Sequence, residues 1–186
     1  MAHIDPDADL IPGLRAGQSH ALEAMMDRHM SKIHALAFYM LGDNMLAEDV
    51  TQDSFIKLWQ AAPKWQEGQA KILTWLRRVT TNRCLDHLRR RAPIYTDKLP
   101  DTEDDTRRAD EALIEDDQAK SVQNAMQNLP EKQRAAIALS YYQNVSQKEG
   151  AKILNVSQKA YESLLSRARR NLKNDLLAEK ERGMLL

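Results

Sequence analysis

Eight side chains late in this sequence have the types and spacing that suit contact with a DNA duplex. Gln158, Lys159, Glu162, Ser163, Ser166, Arg167, Arg169 and Arg170 fall on the outer side of a candidate helix whose inner side carries Tyr161 and Leu165. Arg, Lys, Gln and Glu bond base edges in a major groove, while Arg, Lys and Ser hold phosphates. A groove-reading helix sets its N-terminal residues on bases and its later basic residues on the backbone. Glu162 counts against a plain phosphate surface, but its carboxylate suits a cytosine amine. The plainer alternative is the solvated face of an amphipathic helix in a bundle.

A second set lies earlier. One candidate helix, about Lys71 to Arg91, holds six arginines (Arg77, Arg78, Arg83, Arg89, Arg90, Arg91) and one acid, Asp86. The segment Lys64 to Lys71 precedes it and contains Trp65. Cationic tracks beside aromatic faces or base pockets serve unstacked single strands. Trp75 shares an arc with Ile72, Leu76 and Val79 and reads as core, so Trp65 is the better candidate for an exposed role. The run Arg89 to Arg91 also suits a helix C-terminus for electrostatic reasons alone. A third set, Asp49, Gln52, Asp53, Ile56 and Gln60, points away from the Leu46, Val50, Ser54, Leu58 arc, with Phe55 and Trp59 at its margin. An exposed mixture of acid, amide and large apolar groups suits docking. Taken alone, Phe55 and Trp59 read as core.

Signs of catalysis are missing. The sequence contains no P-loop, Gly-rich nucleotide turn, HExxH or nucleophile elbow. His29 and His34 are five apart and share no helix face, so no metal pair is expected. The one cysteine, Cys84, permits neither an intrachain disulfide nor a CxxC knuckle, and reads as a small core residue. No cofactor is expected. The 27 basic and 27 acidic residues balance, so net charge says nothing about nucleic acid and only the local distribution does. No stretch approaches the ~18 apolar residues of a membrane span. Met1 to Asp9 has no apolar core of signal-peptide length. A soluble, cytoplasmic protein without membrane insertion is expected.

These residues need helices to hold them. Good helix formers abound and no run of alternating apolar residues stands out, so the fold class expected is all-α. A short helix near Asp7 to Ala16 is weakened by Pro12 and Gly13. Ser19 is a plausible N-cap for the next, whose Leu22, Met25, Met26, His29, Ile33, Leu36, Ala37 and Met40 make one face. Gly42-Asp43-Asn44 separates it from a helix over about Met45 to Ala62, ended by Pro63. The arginine helix follows, and Pro93 closes the block. Thr96 to Asp117 then carries ten acids against three bases with few apolar residues, and reads as a flexible acidic linker at least to Ala109. Asp110 to Asn128 is helical, and Pro130 opens a helix to about Tyr142. Ser146-Gln147-Lys148-Glu149 is a capping box for a short helix to Leu154. Leu154-Asn155-Val156 turns the chain, and Ser157 caps the long final helix to about Glu181, with Gly183 as its stop.

In this order the pieces resemble the extracytoplasmic-function (ECF) sigma factors of the sigma-70 family. Ala47 to Phe55 resembles their polymerase-binding segment. Thr74-Trp75-Leu76-Arg77-Arg78-Val79, with Asn82 and Asp86 to Arg91, resembles their −10 helix. Leu129 to Arg134 is similar to the opening of their region 4, and Ser163 to Arg169 to their −35 helix. The resemblance implies two small helical domains, region 2 over 1–92 and a helix-turn-helix region 4 over 119–186, joined by an acidic linker over 93–118. It implies core RNA polymerase (the β′ clamp helices and the β subunit), promoter DNA and an anti-sigma factor as partners. Asp49, Gln52, Asp53, Ile56 and Trp59 would meet the clamp helices. The Lys64 to Lys71 loop would hold a base flipped from the −10 element, a step that costs a few kcal/mol and so can depend on sequence. Lys64, Trp65, Lys71, Arg78, Asn82, Arg83, Arg89 and Arg90 would serve the −10 element. Gln158, Lys159, Glu162, Ser163, Ser166, Arg167 and Arg170 would serve the −35 element. The linker would thread the polymerase near the RNA exit path. Three positions depart from the family pattern: Gly150 replaces a larger aliphatic residue, which would loosen its helix, Tyr161 replaces a smaller apolar one, and Glu162 stands where a base is common.

Two rivals come from other classes. A sigma mimic would bind an anti-sigma factor without driving transcription, but the intact arginine helix argues against mimicry. A helix-turn-helix repressor would leave the first ninety residues unexplained. The linker reading makes a direct prediction. Limited proteolysis should cut first between Thr96 and Ala109, as fragment masses would show, and equal resistance of that segment and the helices would contradict it.

Overall fold

Apolar residues every three or four positions build every long helix of this protein. A computed structural model describes residues 5–66, 71–91 and 115–181. Among these residues there are no strands. The helices are α1 (Ile11–Arg15), α2 (Ser19–Leu41), α3 (Asn44–Ala61), α4 (Ile72–Arg91), α5 (Glu115–Gln127), α6 (Glu131–Ile137), α7 (Gln147–Ile153) and α8 (Gln158–Glu181). A 3-10 turn, Ala62–Lys64, ends α3, and a π-helical turn, Ala138–Tyr142, prolongs α6. The acidic segment over 92–114, the helical expectation for 110–114, the stop at Gly183 and part of the Lys64 to Lys71 loop lie outside the described residues.

Local chemistry sets most helix ends. The Asp43 carboxylate accepts from Leu46 N at 3.0 Å and starts α3. Ser19 is the first helical residue of α2, and Gln18 precedes it without a side-chain cap, so Ser19 is not the N-cap. Gly42, at φ 72°, closes α2 in the left-handed region. Pro130 stands immediately before α6, where its missing N–H costs nothing.

Among the described residues the core has two apolar clusters. One joins α1 to the N-terminal half of α2, the end of α3 and the start of α4, through Met25, Ile33, Phe55, Leu58, Ile72 and Leu76. Phe55 is therefore core. The other joins the C-terminal half of α2 to α5, α6, α7 and α8, through Leu36, Met40, Met126, Leu139, Tyr161 and Leu165. The amino-terminal and carboxy-terminal units thus share a core. Polar contacts fix their register: Gln143 Nε2 donates to Lys32 O at 2.7 Å, Gln123 Nε2 to Phe38 O at 3.2 Å, and Arg134 Nη1 to Met40 O at 2.8 Å. The rings of Tyr39 and Tyr142 stack across the same seam.

Gly150 and Tyr161 explain each other. A Cβ on Gly150 would collide with the Tyr161 ring. The ring is fully buried, and its hydroxyl donates to Ala136 O at 3.1 Å. The missing side chain of α7 is filled by the large side chain of α8, so the helix is not loosened. Gly150→Ala removes a poor helix former, which in an open helix would gain about 1 kcal/mol. Here overpacking should dominate and destabilise by about 1–3 kcal/mol, as urea melts would show. With Tyr161→Leu in the background, the same substitution should become much less costly in a double-mutant cycle.

Two buried acids predict alkaline lability. Burial pushes the Cys84 thiol from 9.0 up to about 12 and the Tyr161 phenol from 10.0 up to about 12. Above about pH 9 the unfolded chain releases the Cys84 proton while the folded chain keeps it. The unfolded state then binds fewer protons, so stability falls as pH rises through this window. Urea midpoints measured from about pH 8 to about pH 10 should fall, and Cys84→Ala should flatten the slope.

Candidate nucleic-acid interface

The carboxy-terminal candidate surface is built by two capped helices. Ser146 Oγ accepts from Glu149 N at 3.2 Å and starts α7. Two bonds close its far end, Val156 N to Ala151 O at 3.0 Å and Asn155 N to Lys152 O at 3.3 Å, with Asn155 at φ 52°. This is a Schellman turn with asparagine in the left-handed position that glycine usually fills. Ser157 Oγ then accepts from Ala160 N at 3.2 Å and launches α8. The sharp turn is thus specified residue by residue.

Along α8, Tyr161, Leu165 and Ala168 are buried. Gln158, Lys159, Glu162, Ser163, Ser166, Arg167 and Arg170 are all exposed, so the structure brings the whole expected −35 set to the solvent face. Gln158 Nε2 donates to Glu162 Oε1 at 3.1 Å, which steadies the carboxylate. Arg169 is exposed too, but its guanidinium lies over the Tyr141 ring, 5.4 Å from the centroid, and contributes to packing.

The amino-terminal candidate surface is more divided. Arg78, Asn82, Arg89 and Arg90 are exposed, and Arg78, Asn82, Asp86 and Arg89 recur every three or four residues along α4. Arg89 pairs loosely with Asp86 at 3.6 Å. Lys64 is exposed and Lys71 half-buried. The exposed role expected of Trp65 is not what the structure shows. Trp65 is half-buried, packs edge-on to Trp75 with centroids 5.8 Å apart, and belongs to the amino-terminal core. Arg83 is also committed. Its Nε donates to Asp53 Oδ2 at 2.5 Å, and Nη2 bonds the same oxygen. One residue expected to meet DNA and one expected to meet a protein therefore hold each other. The pair links α4 to α3 alongside the buried Ser54–Thr80 contact.

On the outer face of α3, Asp49 and Gln52 are exposed and Ile56 is 54 % exposed, a large apolar side chain in water beside charge. Trp59 is half-buried against the core. Asp53 is half-buried by its pairing with Arg83 and, at 4.0 Å, with Lys57.

Several long-range contacts escaped the sequence reading. Glu149 was expected to complete a capping box, yet its carboxylate leaves α7 and accepts from Thr74 Oγ1 at 2.5 Å, with Arg77 Nη1 at 3.7 Å. Arg77 Nη2 donates to Gln143 O at 2.9 Å. Burial lowers the pKa of Arg77 and Glu149 opposes that. Asp5 reaches the first backbone N–H of α4. No local spacing signals any of these, because each joins residues more than sixty positions apart. Among the described residues no group of His, Cys, Asp and Glu could hold a metal ion, and no helix is long and apolar enough to cross a membrane.

Comparison with known proteins matches this arrangement. Residues 25–94 match the family described as Sigma-70 region 2, and residues 119–172 that described as Sigma-70, region 4. The chain is 31 % identical over 173 residues to the ECF RNA polymerase sigma factor SigM of Mycobacterium tuberculosis H37Rv, covering 91 % of this chain and 84 % of the relative. It is 30 % identical over 158 residues to the ECF RNA polymerase sigma factor SigE of Mycolicibacterium smegmatis, covering 83 % of this chain but 61 % of that longer relative. The fold is similar to that of CnrH, solved in complex with the cytosolic domain of CnrY, with a TM-score of 0.71 at 25 % identity over 93 % of this chain and 98 % of that one. With both family regions present in order, each contributing a helix with a solvent-facing cationic stripe, the chain belongs to the extracytoplasmic-function sigma factors of the sigma-70 family, which direct RNA polymerase to promoters and catalyse no reaction themselves.

Proposed function

We propose that the two exposed helix faces divide promoter recognition between them. The −35 duplex is read by α8 through Glu162, Ser163, Ser166 and Arg167, with Gln158 and Lys159 at the groove entrance and Arg170 on phosphate. The −10 element is engaged by α4 through Arg78, Asn82, Arg89 and Arg90, with Lys64 and Lys71 at the ends of the segment that receives a flipped base. Asp49, Gln52 and Ile56 on α3 form the centre of the surface for the β′ clamp helices, with Asp53 and Trp59 at its edge. The observation that carries this reading is the exposure of every expected −35 residue on one face of a helix whose opposite face is buried.

The division assigns region 2 to 1–92, the connecting segment to 93–118 and region 4 to 119–186. An anti-sigma factor is the third partner, and the sigma factor works with it and with the polymerase in the cytoplasm. Support comes from CnrH, whose structure was solved with the cytosolic domain of CnrY. A groove lined by Val122, Ile137, Tyr141, Leu172, Leu176 and Leu177 offers such a partner an apolar surface.

The test is run-off transcription from a genomic fragment library with core polymerase and this protein as its sole sigma factor. Discrete starts that share upstream −35 and −10 elements are expected. Arg167→Ala should relax preference at −35 positions, at about 1–3 kcal/mol for each lost base contact, and leave −10 preference alone. Binding to core without specific starts would contradict the reading.

A further inference from the structure

The amino-terminal segment does more than cap the fold. Asp5 Oδ2 accepts from Ile72 N at 3.0 Å, across 67 residues of sequence. Ile72 is the first residue of α4, so this N–H has no partner within the helix, and a carboxylate there also meets the positive end of the helix dipole. The other oxygen of Asp5 accepts from Asp7 N at 3.1 Å, which fixes its rotamer. Asp7 is itself anchored. It is 2 % exposed, and its carboxylate lies 2.9 Å from His29 Nε2 and 3.4 Å from Arg28 Nη1 on α2. Asp9 adds two bonds to Arg28, at 2.9 and 2.7 Å.

A second contact converges on the same place. Ile11 and Leu14 of α1 pack beneath Leu58, Ala62, Trp65 and Ile72. Trp65 and Ile72 sit near the two ends of the Lys64 to Lys71 segment. Both ends therefore rest on residues 5–14, one through apolar packing and one through a hydrogen bond. The first turn of α4 also sets the direction of the helix that carries Arg78 and Asn82.

We propose that Asp5 is a positioning residue for −10 recognition: it fixes the N-terminus of α4, and with it the direction in which that helix presents Arg78 and Asn82. Asp5 touches no DNA. This rests on the reading of α4 as the −10 helix, and the experiment separates the two.

Core polymerase is loaded with the full-length protein carrying Asp5→Ala, Asp5→Asn or Asn82→Ala. Run-off start sites from the library give the preference at −10 and at −35 positions, and titration gives affinity for core. Asp5→Ala should weaken −10 preference by up to about fivefold, the equivalent of one whole helix cap. Preference at −35 and affinity for core should not change. Asp5→Asn keeps an acceptor oxygen and should restore most of the effect. Should Asp5→Ala melt below the assay temperature, Asp5→Glu, which keeps the charge but displaces the carboxylate, gives the same readout. Unchanged −10 preference in the variant that folds overturns the proposal, provided Asn82→Ala lowers it. A uniform loss of core affinity and of both preferences also overturns it, since that marks a structural role only. If Asn82→Ala leaves −10 preference intact, the reading of α4 fails and the proposal with it.

Discussion

The guanidinium of Arg134 is the contact on which the joining of the two units turns. It projects from α6 into the C-terminal ends of two other helices. Nη1 donates to Met40 O at the end of α2 and also bonds Gln127 Oε1, while Nη2 donates to Gln127 O and to Leu129 O, just beyond α5. Helix C-termini leave their last carbonyls unpaired and carry partial negative charge, so a buried cation satisfies both needs at once. Burial lowers the pKa of this arginine, and the Glu131 carboxylate opposes that. A neutral side chain here would leave several carbonyls of a buried seam without partners. The cost of such groups is what fixes α5 and α6 on the end of α2.

Apolar burial drives the association of the units, and polar contacts select its register. The shared cluster runs from Leu36 and Met40 through Met126 and Leu139 to Tyr161. The surrounding bonds from Gln143, Arg77 and Glu149 add little net stability, because each group must be desolvated to make them. Their effect is to disfavour every other placement. As a consequence α4 has three distinct sides. Thr74 and Arg77 face the carboxy-terminal unit, Leu76 and Thr80 face α2 and α3, and Arg78 and Asn82 face water. One helix thus carries an inter-unit contact and a solvent-facing stripe without using any side chain twice.

The same economy marks the turn between α7 and α8. Asn155 takes the strained backbone, Ser146 and Ser157 cap the helices on either side, and Tyr161 fills the space that Gly150 leaves. Gly150 and Tyr161 are complementary in volume. Their close fit seats α7 directly against α8, whose opposite face presents Glu162 and Arg167.

Read alone, the sequence determined the helices, the helix-turn-helix and the solvent face of α8. Those depend on interactions within four residues along the chain: apolar periodicity, serine caps and the left-handed asparagine. Arg78 and Asn82 were singled out only through the family resemblance, and the structure leaves both exposed on α4. The sequence did not reveal that Arg83 is held by Asp53, that Trp65 leans on Trp75, that Glu149 abandons its own helix for Thr74, or that Asp5 caps Ile72. Only the tertiary structure decided these. A charged or aromatic side chain has many partners of equal chemical merit along a sequence, and which one it meets depends on how helices distant in sequence are brought together by burial of their apolar faces.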